Sequence, residues 1–314
     1  MQLELRHLRI LKTIADAGSL TRAAAALGLS QPALTAQLRR IEQLLGREVF
    51  TRGRQGVTAT PYGEFVLTRT RTIMANLDEI LARGPESADP PAVRVGGADN
   101  HLVVGLLEQL TEVFPGARVS LRTEYFIRVL LDLVIGGALD VALVADYPGH
   151  ELRRQPTFET GVVAVEPVFV ALSAAHPLAA RQEIDLPELA REPWAVPPSD
   201  GLGWPEHLLE VCAAAGFTPR AQYRMAEPGS RRQLIAAGRA VTACQALFRQ
   251  DAEVAVRPLR GDPLSIRHLL VWNPASPVAA RADEVLAAAR EGYRRLLAPW
   301  RHDHPRLAAR FPDG

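Results

Sequence analysis

A glycine break at Gly28-Leu29-Ser30 divides two helical patterns, each too short to persist in water without packing against the other. Upstream, Leu20 to Leu27 reads as a short helix capped by Ser19, and its run Ala23-Ala24-Ala25-Ala26 lets another helix approach closely. Downstream, QPALTAQLRRIEQLLG sets Leu34, Leu38, Ile41 and Leu45 on one continuous apolar stripe that Gly46 terminates. Ser30 serves as its N-cap, and Pro32 is tolerated because the first turn has no partner for a backbone N–H. An earlier helix is expected where Leu5, Leu8, Leu11 and Ile14 recur, ending at Gly18. Two short helices about a glycine-containing turn make a helix-turn-helix, whose second helix enters a DNA major groove. The alternative is a small helical bundle with a solvated basic face.

Charge favours the first reading. Residues 1–60 hold nine Arg or Lys and four Asp or Glu, a balance of +5; the whole chain carries +1, so residues 61–314 sum to −4. A basic head on a slightly acidic body suits a polyanion bound at one end. Glu48 to Thr51 and Val57 to Thr58 are expected as hairpin strands, with Arg52-Gly53-Arg54-Gln55-Gly56 as the turn. Two arginines at such a tip can reach phosphate or the minor groove.

The stretch from Leu8 through Glu64 resembles the winged helix-turn-helix of LysR-type transcriptional regulators. The resemblance is carried by Gly18-Ser19, Ala23-Ala24, Ser30-Gln31-Pro32-Ala33, Ile41-Glu42, Leu45-Gly46, and Phe50 with Arg52. It implies that the first turns of the recognition helix read bases, here Gln31, Pro32, Ala33, Thr35 and Ala36. Ser30 and Arg39 complete the DNA-binding set, and Arg52 and Arg54 contact backbone or minor groove. The chain departs from the family at Ala36, where many members have arginine, and at Ala59, where leucine is usual. The first departure relaxes or shifts operator preference.

Thr60-Pro61 is the expected start of a long linker helix, and GPESADPP at 84–91 is a hinge. Val66, Ile73, Leu77 and Ile80, flanked by Phe65, Met74 and Leu81, form a stripe that needs a partner. The stripe can pack on the chain's own body. Twofold operators favour pairing two copies, and the resemblance implies the same, giving a homodimer or a dimer of dimers, that is, a homotetramer.

From Ala92 strands and helices alternate, which predicts parallel sheets with helices on both faces. This body resembles the family's effector-binding domain, two α/β lobes like a periplasmic solute-binding protein, on Phe114-Pro115, GALDVAL at 137–143, His176-Pro177-Leu178 and Ala236-Ala237-Gly238. The expected organisation is α + α/β. Residues 1–60 are a winged helix-turn-helix and 61–91 a linker. Residues 92–300 are the effector domain, with lobe one at 92–162 and 268–300 and lobe two at 163–267. Residues 301–314 are a tail.

The resemblance places the effector between the lobes. Matching positions are Asp99, Asn100, His101, Tyr125, Phe126, Arg128, Ser199, Gly201, Gly203, Gly229, Arg231 and Cys244. Tyr125 and Phe126 can stack on an aromatic body, and Arg128 and Arg231 can clamp a carboxylate, so a small organic anion is expected. Asp99 would suit an amino group, which makes an amino acid the second choice.

No uncharged apolar run reaches the ~18 residues of a membrane span, and MQLELRHLRI has charges where an export signal would need apolar residues. A cytoplasmic location without membrane contact is expected. Two cysteines, Cys212 and Cys244, cannot make a disulfide framework or a thiolate metal cage. No phosphate loop or nucleophile elbow occurs, so catalytic residues, metal and cofactor are all expected to be absent. The partners expected are a double-stranded DNA operator, a small-molecule effector and RNA polymerase. Competing readings are a transporter's solute-binding protein and an α/β enzyme with an accessory DNA-binding head.

Overall fold

Leu8, Leu11 and Ile14 fall on one side of α1 (Leu5–Ala17) and are buried there. The computed structural model describes residues 3–53, 56–82, 92–98, 101–153, 155–225 and 227–311. The chain divides into two compact units, residues 1–88 and 89–314.

In the first unit, Gly18 ends α1 at φ 60°, a left-handed turn that glycine adopts without strain. α2 (Leu20–Ala26) buries Ala23 and Ala24, and α3 (Gln31–Leu45) inserts Leu34, Leu38 and Ile41 into the same core. A hairpin follows, β1 (Phe50–Gly53) against β2 (Gly56–Ala59), pairing Arg52 with Val57 and Gly53 with Gly56. The ladder therefore runs closer to the tip than expected, and Arg52 belongs to a strand. The cause is contact with the α1–α2 corner: Val57 N–H donates to the Gly18 carbonyl at 3.1 Å, and a Cβ on Gly56 would lie 2.3 Å from that oxygen. Glu42 Oε1 accepts the Val49 and Phe50 N–H groups, fixing the hairpin to α3.

α4 (Pro61–Ala82) starts as expected, with Thr60 Oγ1 accepting the Gly63 N–H at 2.8 Å. Val66, Leu67, Thr70 and Met74 are buried, while Phe65 and Ile73 are 59% and 43% exposed. Val66 is thus removed from the expected intersubunit seam. It packs into its own chain's core because α1 already covers that side of α4.

The second unit begins with β3 (Ala92–Gly97), α5 (His101–Val113), β4 (Arg118–Thr123), α6 (Ile127–Ile135), β5 (Val141–Asp146) and β6 (Glu159–Pro167). It continues through β7 (Phe169–Ser173), β8 (Pro193–Val196), α7 (Glu206–Ala214), β9 (Arg220–Arg224), α8 (Pro228–Ala236), β10 (Thr242–Cys244) and β11 (Val254–Arg257). It then returns by β12 (Ser265–Trp272) to α9 (Ala282–Asp303) and α10 (Pro305–Ala308). One lobe holds a five-stranded sheet in the order β4-β3-β5-β12-β6. β3 is parallel to β4 and β5, but β12 is antiparallel to both β5 and β6, so the sheet is mixed and not parallel as the alternation suggests. The reason is topological: β6 and β12 run in opposite directions between the lobes and pair as a ribbon, with an irregularity at His268/Leu269.

The second lobe orders β10-β7-β11 beside β8-β9. Ala195 N–H donates to Val241 O at 2.9 Å and Val241 N–H to Pro193 O at 2.8 Å, joining the two sheets edge to edge. That bridge occupies Val241, and β10 begins at the next residue. Residues 301–311 are not a loose tail: α9 runs to Asp303, α10 follows, and Phe311 is buried.

Candidate DNA-binding face and effector cleft

The apolar stripe that drives α3 into the core leaves its opposite face outward. Ser30, Gln31, Pro32, Ala36 and Arg39 are exposed and Ala33 and Thr35 half-buried, so these residues share one accessible surface around the first turns of α3. Ser30 Oγ accepts the Ala33 N–H at 3.3 Å, which fixes the start of the helix that presents Gln31. Arg52 lies on the adjacent hairpin; its side chain and the whole of Arg54 fall outside the described residues. A projecting helix start beside a basic hairpin suits insertion into a groove with phosphate contacts at its edge.

In the second unit three hydrogen bonds tie the 198–200 segment of one lobe to the other. Tyr125 hydroxyl donates to Pro198 O at 2.6 Å, Ile127 N–H to Asp200 O at 2.9 Å, and Tyr147 hydroxyl to Asp200 Oδ2 at 2.9 Å. Asp200 is the organising residue. Its Oδ1 accepts the N–H groups of Leu202, Gly203 and Trp204 at 2.8, 3.0 and 3.1 Å, so one buried carboxyl shapes the 200–204 loop and latches it to the other lobe. Gly203 adopts φ 134°, and a Cβ there would strike the His150 ring. Burial lifts the Asp200 carboxyl above its ordinary pKa, partly offset by the hydrogen bonds it accepts. Burial, and then the Asp200 charge, raise the hydroxyls of Tyr125 and Tyr147.

The expected cleft residues separate into two groups. Arg128, Ser199, Gly201 and Gly203 line an open cavity of about 480 Å³ together with His150, Glu151, Arg153 and Glu206. Arg231 lies deeper, within electrostatic range of Tyr125, Cys244 and Glu227. Its Nη1 donates to Met225 O at 3.2 Å, but its buried Nε has no acceptor among the described residues. Desolvation holds the Arg231 guanidinium below its ordinary pKa. Phe126 packs edge-on against Tyr125, ring centroids 5.6 Å apart. Gly229 does not offer its amide to the cleft: Glu227 caps α8 by accepting the Gly229 N–H at 2.7 Å, with Ser230 N–H beside it. Asp99, Asn100 and the side chains of His101 and Ile80 lie outside the described residues, as does the 84–91 hinge.

Both cysteines are buried. Desolvation pushes Cys212 up to about 12 and raises Cys244 as well, which disfavours the thiolate at both. Among the described residues no group of three or more His, Cys, Asp or Glu could hold a metal, and no helix is long and apolar enough to cross a membrane. Tyr147 and Trp204 escape the sequence reading, and Asp200, within the expected cleft segment 199–203, is not singled out there. The available signal was Asp200 within SDGLGW, an acid followed by two glycines and so suited to accepting loop amides.

Comparison with known proteins agrees with this architecture. Residues 5–64 match the family model for the bacterial regulatory helix-turn-helix protein, lysR family, and residues 93–294 that for the LysR substrate binding domain. A small neutral protease regulatory protein of Streptomyces coelicolor is 39% identical over 95% of both chains, and one of Streptomyces lividans 38% identical over 93% of this chain and 83% of that one. Among solved structures, a Corynebacterium glutamicum OxyR C206 mutant aligns with a TM-score of 0.58 at 22% identity, covering 96% of this chain and 97% of that one. Full-length BenM aligns at 0.54 and 21% identity, covering 94% and 97%. The chain belongs to the LysR family of transcriptional regulators, with an N-terminal helix-turn-helix for DNA and a C-terminal substrate-binding domain.

Proposed function

We propose that this regulator answers to a small organic anion held between its lobes, with Arg231 as the principal charge and Tyr125 and Phe126 as the apolar wall. The observation that supports this reading is the Arg231 guanidinium itself: desolvated, with a buried Nε that meets no acceptor among the described residues. A buried donor without a partner costs about 1–3 kcal/mol, which an incoming carboxylate would recover. Arg128, near the cavity mouth and 3.8 Å from Asp132, is the second contact, better suited to steering than to clamping.

In this reading Gln31, Pro32, Ala33, Thr35 and Ala36 meet base edges, while Ser30, Arg39, Arg52 and Arg54 meet the backbone. Two copies pair through Ile73, Leu77 and Ile80, and dimers associate further into tetramers. The protein acts in the cytoplasm, and its effector alters the approach of RNA polymerase to the promoter. The Streptomyces relatives are named for a small neutral protease, and a protease gene is our first candidate target.

The test is thermal unfolding of the full chain against small carboxylates, amino acids and neutral sugars. A ligand at 100 times its Kd stabilises by about 2.7 kcal/mol. Carboxylates should raise the melting temperature of the parent but not of Arg231→Ala. A response to neutral sugars alone, or an Arg231→Ala variant that responds like the parent, contradicts the reading.

A further inference from the structure

The two strands β6 and β12 already carry the chain between the lobes, yet the polypeptide crosses a third time. The greater part of α9, as far as Leu297, belongs to the first lobe. Gly292 packs directly on Gly105 of α5, where a Cβ on Gly292 would lie 2.8 Å from the Gly105 carbonyl oxygen. Tyr293 hydroxyl donates to Glu166 of β6 at 3.1 Å, and the Arg290 guanidinium donates twice to the Val162 carbonyl.

Beyond Leu297 the side-chain partners change lobe. The Trp300 ring lies 6.0 Å from Phe169 of β7, and Phe311 lies 6.5 Å from Phe169 and 5.5 Å from Trp300. The Arg301 guanidinium covers the Phe311 ring at 5.2 Å. Gln250 Nε2 meets His304 Nε2 at 2.7 Å. Arg310 donates to the Leu259 carbonyl at 3.2 Å and to Asp262 at 2.7 Å, and it also pairs with Glu183. Phe169, Glu183, Gln250, Leu259 and Asp262 all lie in the second lobe.

We propose that residues 298–311 are a strap that fixes the angle between the lobes. Phe169 stands two residues after β6 ends, and Asp262 three before β12 begins. The strap therefore grips the second lobe where both crossing strands enter it, the place any rotation must pass through. Rotation that pulled the strap off the second lobe would part Phe169 from the Trp300 and Phe311 rings and the Arg310 guanidinium from Glu183 and Asp262, so the strap biases the lobes toward the latched arrangement. It lies outside the stretch matching the family's substrate-binding domain, which ends at 294. The inference goes beyond the proposed effector chemistry and does not depend on it.

The experiment is amide hydrogen exchange on the full chain without ligand, comparing the parent with Arg310→Ala, Phe311→Ala and the conservative Phe311→Leu. The readout is the Ile127 amide, which donates across the lobes to the Asp200 carbonyl and has no bond to the strap. We expect this amide to exchange at least about fivefold faster in Arg310→Ala and Phe311→Ala. Strand β5 should stay unchanged, and Phe311→Leu should stay close to the parent. Faster exchange confined to 169–173, 250–262 and 297–311 overturns the proposal, because the segment is then only a local cover. Equal acceleration of the latch and β5 overturns it too, since that is general destabilisation. If Phe311→Ala does not fold, Arg310→Ala decides alone.

Discussion

Tyr147→Phe isolates the latch between the lobes. The ring stays, keeping its packing against Trp204 at 5.3 Å and His207 at 6.1 Å, and only the hydroxyl that donates to Asp200 Oδ2 is lost. Both partners are buried, at 6% and 4% exposure, so water cannot replace the bond in the closed form. A hydrogen bond to a charged acceptor is worth about 1.5–3 kcal/mol net. Oδ1 keeps its three backbone donors, so the 200–204 loop should hold its shape and the loss should fall on lobe opening. At about 1.4 kcal/mol per factor of ten, the open population should rise by about tenfold to a hundredfold. Exchange of the Ile127 amide, whose N–H donates across the lobes to the Asp200 carbonyl, reports that ratio directly when closing is fast. A change below about threefold would refute the latch, because the Tyr147–Asp200 bond would then carry no weight in holding the lobes together.

Changing Ile73 and Leu77 to Asp places two charges in the proposed seam and should cost several kcal/mol of association. Sedimentation at micromolar concentration should show monomers, and an unchanged mass means the exposed side of α4 pairs with nothing. Asp200 predicts a pH dependence. Its folded pKa is raised, so the folded state binds the proton more tightly than the unfolded chain does. Its contribution is therefore full below the ordinary carboxylate range and is lost as pH rises through the raised value. Across that window the melting temperature of the parent should fall relative to that of Asp200→Asn, and the two curves should run parallel above it; parallel curves throughout would contradict the assignment.

Much of the first unit was legible in the sequence because its signals are local. The stripe Leu34–Leu38–Ile41, the Ser30 cap and the glycine stops at Gly18 and Gly46 each act within one or two turns. The exceptions depend on longer contacts: α1 covers Val66 within its own chain, and Gly56 meeting Gly18 tightens the hairpin tip. In the second unit, alternation gave the elements but not the direction of β12, which depends on the return of the chain between lobes. Arg231 and Tyr125 are reached in the sequence only through the family resemblance. Tyr147 is not reached, since a tyrosine closing a buried strand looks like core until Asp200 of the other lobe is placed against it. The strap was hidden for the same reason: polar, arginine-rich sequence after Pro299 reads as solvated, and only Phe169 explains why Phe311 is buried and Trp300 half-buried.

The proposed base reading by the start of α3 is the function on which all the others depend. Fluorescence anisotropy of the full chain on intergenic DNA beside its own gene, against scrambled DNA of equal length at fixed salt, measures it. The parent should prefer the intergenic DNA by ~10³-fold or more. Gln31→Ala with Thr35→Ala should erase most of that preference and leave affinity for scrambled DNA nearly unchanged, because phosphate contacts are untouched. Equal losses on both DNAs would contradict base reading, since those side chains would then serve only general DNA affinity or folding.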